Sequence, residues 1–145
     1  MHEELLADVL CETAEQMFFQ EFESDPGRQP PQDVFWASID VSSPQYFRLI
    51  VAAAEGEIKE ALEMVFMGER EVTDERVGDV VAELANTIAG SLSRRLSDDT
   101  LLELSTPTKG HGYAPPTSEY HAFSSDELTF FVTVSRDTSP LEEEE

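Results

Sequence analysis

The stretch AELANTIAG, residues 82 to 90, places Glu83 and Asn86 one helical turn apart. One turn back lies Asp79, and one turn on lies Gly90. At about 100° per residue, Asp79, Glu83, Asn86 and Gly90 share one side of a helix within roughly a 60° arc. A carboxylate there can pair with a partner's cation. A carboxamide accepts a hydrogen bond through its oxygen, donates through its nitrogen and carries no charge, which suits it to holding a water. Asparagine is a poor helix former, and glycine costs about 1 kcal/mol relative to alanine in a helix interior. Helix energetics therefore ask for neither residue, and the face is expected to be kept clear for a docking partner. Ala82 and Gly90 flank the arc, so no bulky neighbour is expected to shield it. The plain alternative is a solvated polar face, which spacing alone does not exclude.

The helix that carries these residues is predicted from about Thr73, a good N-cap with Arg76 at the capping-box position, to about Leu96. Val77, Val80, Val81, Leu84, Ile88 and Leu92 form its apolar face. Asp98 and Asp99 mark the exit. Upstream, residues 4 to 22 carry helical periodicity through Leu6, Val9, Leu10, Met17 and Phe18. ESDPGRQPPQD follows as a loop, then VFWASIDV and YFRLIVAAA as a hairpin joined by SSPQ. EGEIKEALEMVFMG reads as a short helix stopped by Gly68. Downstream, TLLELSTP reads as a strand ending at Pro107, and KGHGYAPPTS as a loop. EYHAF and ELTFFVTV form a second hairpin around SSD. The fold class expected is α+β, with helices on one face of a largely antiparallel sheet. Residues 1–136 are expected to form a single domain, and the acidic residues 137–145 a disordered tail.

Composition narrows the partners. The chain has 145 residues, 31 acidic and 9 basic, a formal charge of -22, and no Lys or Arg before Arg28. Nucleic acid and anionic membrane surfaces, which need lysine and arginine, are disfavoured. An acidic surface suits basic patches or metal-loaded sites on another protein, and otherwise serves solubility. The single cysteine, Cys11, cannot form an intrachain disulfide. It is expected to be partly buried and inert. The acidic N-terminus is no signal peptide, no apolar run reaches membrane-span length, and a cytoplasmic location is expected.

A second helix carries a similar pattern. Asp8, Glu12 and Glu15 have the spacing of Asp79, Glu83 and Asn86, and Leu6, Val9, Leu10 and Met17 match Val77, Val80, Val81 and Ile88 at the same offset. Each helix precedes predicted strands, so an internal pseudo-repeat is expected.

DVVAELANTIAG followed by LSTPTKGHG resembles the signature of the CheC/CheX/FliY phosphatases, and most closely its CheX-like members. Asp79, Glu83, Asn86 and Pro107 occupy the positions of the family motif, and Gly110 follows as in CheX-like chains. The resemblance implies hydrolysis of the aspartyl phosphate on a CheY-like receiver domain. It gives Asn86 the attacking water and Glu83 a lysine of the receiver, with Asp79 in a weaker docking role. Mg2+ would be held by the receiver, since this chain shows no convincing metal cluster. Glu15 stands where two-site relatives have a second asparagine, and SSPQ where relatives usually have glycine. One site per chain is therefore implied. The alternative is a non-catalytic dimeric adaptor using the same helix face, or a domain that keeps the fold with neither role.

The remaining residues carry less. His2, His111 and His121 lack metal-ligand spacing, and His111 is expected in a loop. MFF and FWA are expected to be core. ELTFFVTV lacks proline and has one charge, so at a sheet edge it would pair with another chain. CheX-like relatives dimerise through their sheets, and a homodimer formed this way is expected.

Overall fold

A computed structural model describes residues 3–43, 46–96, 103–116 and 119–135. The first helix, α1 (Glu3–Phe18), leads into β1 (Glu23–Ser24), β2 (Val34–Ser43) and β3 (Phe47–Ala54). Two helices follow, α2 (Glu55–Phe66) and α3 (Asp74–Leu96), then β4 (Glu103–Leu104), β5 (Thr108–Gly112), β6 (His121–Ser124) and β7 (Thr129–Ser135). All pairings among the described strands are antiparallel, in the order β1-β6-β7-β3-β2-β4, with β5 also on β2. The hairpins β2–β3 and β6–β7 meet at the centre through β3 and β7. The α+β expectation and both hairpins hold. Each half carries more than a strand pair, because β1, β4 and β5 are added at the margins.

Alternation along the strands divides the interior in two. Phe35, Ala37, Ile39 and Val41 of β2, with Leu49, Val51 and Ala53 of β3, face all three helices and form the main core. Fully burying a side chain such as Leu84 or Ile88 contributes roughly 1.5–3 kcal/mol. On the opposite face, Val34, Trp36, Ile50, Ala52, Ala122 and Phe131 form a smaller core closed by Tyr120. The Tyr120 hydroxyl donates to the Pro115 carbonyl at 2.6 Å, and burial raises its pKa.

Several predicted features differ from the structure. KGHG is strand β5 and not loop, pairing Val34–Ser38 of β2 with Thr108–Gly112. Glycines weaken a strand in isolation, but a Cβ at Gly110 would overlap the indole of Trp36, so the cross-strand packing demands this residue. Most of ELTFFVTV is β7, flanked by β3 on one side and β6 on the other. It is an internal strand, and the dimer route through it is closed. The first helix ends at Phe18, and Phe19 takes a left-handed conformation with φ 58°. The second helix ends at Phe66, and Met67 caps it with φ 51° one residue before the expected Gly68 stop. A left-handed conformation costs a non-glycine residue roughly 1–2 kcal/mol. MFF is only partly core, for Phe19 is 81% exposed. The SSPQ turn, His2, Asp98, Asp99 and the 137–145 tail fall partly or wholly outside the described residues. No helix among the described residues is long and apolar enough to cross a membrane.

Candidate functional site

The α3 helix begins as its sequence directs. The Thr73 hydroxyl accepts from the Arg76 backbone N–H at 3.2 Å, satisfying one of the free donors of the first turn. Asp74 and Glu75 sit in the first turn and Arg94 and Arg95 in the last, each complementing the helix dipole. Val77, Val81, Leu84, Ile88 and Leu92 are fully buried against the sheet, and Val80 is partly buried. Burial of that stripe fixes the rotation of the helix and turns Asp79, Glu83 and Asn86 to solvent.

The three exposed residues are not equivalent. Asp79 accepts from Lys109 of β5 at 2.7 Å, and the Lys109 stem also passes Gly78. Among the described residues, Glu83 and Asn86 make no side-chain hydrogen bond or ion pair. Gly90 departs from expectation. It is buried, and the Arg94 guanidinium lies 3.6 Å from where its Cβ would be. Arg94 thus shields the far end of the stripe, and glycine makes room for it. Pro107 is half-buried in the connection from β4 to β5. That connection is clamped to β2, since Ser105 exchanges backbone and hydroxyl hydrogen bonds with Asp40, both at 2.9 Å. Pro107 therefore reaches the site through β5, which packs along α3.

Lys109 and Arg94 were not among the predicted site residues. Arg94 was within reach of sequence reasoning, because it continues the stripe four residues after Gly90. Lys109 was not, because its segment reads as loop.

The first helix presents its counterpart residues differently. Glu12 accepts from Arg95 of α3 at 2.7 Å, and Glu15 is half-buried. Cys11 is partly buried, and burial together with Glu15, Asp8 and Glu23 raises its pKa, as an inert thiol requires. His111 stacks on Phe35 with ring centroids 4.0 Å apart, its Nε2 lying 2.6 Å from Glu55. Among the described residues no group of three or more His, Cys, Asp or Glu side chains could hold a metal ion.

Comparison with known proteins agrees with this architecture. The chain is similar in structure to the chemotaxis protein CheX from Vibrio vulnificus, with a TM-score of 0.74 and 18% identity over 92% of this chain and 97% of that one. It is also similar to CheX in the CheX-CheY-BeF3-Mg2+ complex from Borrelia burgdorferi, at TM-score 0.65 and 18% identity over 91% and 95% of the two chains. Thermotoga maritima FliY follows at TM-score 0.60 and 13% identity, covering 93% and 91%. No curated protein sequence matches the chain. Residues 35–124, from the second residue of β2 to the end of β6, match the family described as chemotaxis phosphatase CheX. That span includes α3 with its exposed stripe, and the chain belongs to the CheX family of chemotaxis phosphatases.

Proposed function

We propose that this protein hydrolyses the aspartyl phosphate of a CheY-like receiver domain, with one site per chain on the exposed face of α3. The observation that supports it most is the uncommitted state of Glu83 and Asn86, exposed on the side of α3 opposite the fully buried Val77, Val81, Leu84, Ile88 and Leu92. In this reading the Asn86 carboxamide oxygen accepts a hydrogen bond from a water and holds it in line with the acyl P–O bond. The water oxygen attacks phosphorus, the acyl P–O bond breaks, and its electron pair leaves on the receiver's carboxylate as inorganic phosphate departs. An uncharged side chain does not repel the incoming phosphoryl group. Glu83 pairs with a lysine of the receiver. Asp79, already held by Lys109, supports docking, while Pro107 and Gly90 shape the margins.

Magnesium arrives with the receiver, a reading supported by the Borrelia burgdorferi complex, which contains CheY and Mg2+ together with CheX. Residues 1–136 act as one domain. A homodimer belongs to the same proposal, with β5 as its edge, since among the described strands β5 pairs only with β2. Sedimentation tests it: a mass near one chain, 16.2 kDa, at every micromolar concentration would rule the dimer out.

The deciding experiment follows phosphate release from a phosphorylated receiver in Mg2+, with and without this protein. Accelerated release is expected. Binding without acceleration would make the protein an adaptor and overturn the catalytic reading.

A further inference from the structure

Away from α3, the C-terminal ends of α1 and α2 converge on an open groove of about 880 Å3. Phe18, Ala61 and Val65 line its apolar base. Three bulky apolar side chains project at its mouth: Phe19 is 81% exposed, Met64 62% and Met67 83%. Phe19 and Met67 are also the two described non-glycine residues with positive φ. At each helix end a glycine would relieve the backbone and hide nothing apolar. The chain instead holds a phenylalanine and a methionine in the left-handed region and presents them to solvent. Exposed apolar groups gathered in one place mark an interaction surface, and methionine adapts to varied partners.

The rest of the rim is acidic. Glu21, Glu23, Asp126 and Glu127 are exposed around the groove, and no Lys or Arg lines it. Asp25 adds a carboxylate that Arg28 partly neutralises at 3.6 Å. Two helix C-termini contribute further partial negative charge. The walls are joined, since the Ser125 hydroxyl donates to the Gln20 side chain. The groove is thus a formed feature of the fold.

We infer that this groove docks a basic amphipathic helix of a partner protein, its apolar side chains seated against Phe19, Met64 and Met67 and its lysines or arginines against the acidic rim. Helix-in-groove recognition combines these two elements. A second copy of this chain is a poor occupant: its charge is -22, and its basic residues are scattered apart from Arg94 and Arg95. An anionic lipid surface is repelled for the same reason. None of the lining residues belongs to α3 or β5, so the surface is separate from the Glu83/Asn86 face.

The test uses the whole protein and a dye-labelled amphipathic peptide of leucine and lysine, read by fluorescence anisotropy. An acidic twin with glutamate for lysine serves as comparison. The lysine peptide is expected to bind, more weakly as salt rises, and the acidic twin is not. Phe19→Gly with Met67→Gly should weaken binding at least about tenfold while melting no lower than the parent, because glycine accepts both backbone conformations. Glu23→Lys with Glu127→Lys should weaken it as much. Glu4→Lys with Glu75→Lys, equal in charge but outside the groove, should weaken it far less. The inference is overturned if the lysine peptide fails to bind, if the acidic twin binds equally, if the glycine variants bind like the parent, or if the two charge-reversal pairs lose equally.

Discussion

The α1 and α3 helices start from one spacing and end in different states. Asp8, Glu12 and Glu15 repeat the interval of Asp79, Glu83 and Asn86, and both triplets lie opposite an apolar stripe buried in the same core. On α1, Glu12 is taken up by Arg95 and Glu15 is half-buried beside the raised Cys11 thiol. On α3, Glu83 and Asn86 stay exposed and have no partner among the described residues. The difference lies in residue type, Asn86 against Glu15, and also in what the rest of the fold does with each residue. A carboxylate already paired internally must break that pair before it can serve a docking partner, whereas an unpaired one is available at once. Arg95 of α3 reaches Glu12 of α1, whereas among the described residues no arginine or lysine pairs with Glu83.

The widest separation between the two helices is expected from Asn86→Ala. Turnover of a phosphorylated receiver should fall by about a hundredfold or more, with receiver binding nearly intact, as befits an interaction made only in the transition state. Single-turnover phosphate release and a binding isotherm on the same variant check this. Full turnover would remove Asn86 from the water. Glu83→Ala comes next, with binding and turnover falling together, by about tenfold for a lost charge-assisted contact. Titration with a non-hydrolysing receiver complex separates it from the asparagine effect. A smaller change is expected from Glu12→Ala, its counterpart on α1. The ion pair to Arg95 is exposed, so its loss should cost about 0–1 kcal/mol of stability in chemical denaturation and leave turnover alone. Least of all is expected from Glu15→Ala, which should turn over at the parent rate. A large loss in folded protein would erase the distinction between the helices.

Much of α3 was legible in sequence because its determinants are local. The 3.6-residue period set its buried face, and the Thr73 cap, seen in the 3.2 Å bond to Arg76, set its start. The two hairpins were legible for the same reason, since their alternation and turns lie within a few residues. What the sequence concealed depends on distant partners. Thr108–Gly112 has no strand character of its own and becomes a strand because β2 offers a backbone and Trp36 needs a glycine beside it. ELTFFVTV looks like an edge strand until β3 and β6 are known to flank it. Gly90 looked open because the fold-back of Arg94 is a tertiary choice. Phe19 read as core because MFF is apolar, while it stands one turn after Glu15 on the side of α1 away from the core, and it leaves the helix in the left-handed region.

Trp36 is the single tryptophan of the chain, and its indole lies against the backbone of β5 at Gly110. Its emission therefore comes from one known place, the dry side of the strand whose other neighbour is α3. A red shift would report water entering beneath β5, and hence loosening of the support for Lys109. Circular dichroism at helical wavelengths follows α1 and α3 together and cannot tell them apart. The native fluorophore follows, without a label, β2, which carries it, and β5, which it touches, both of which pack along α3.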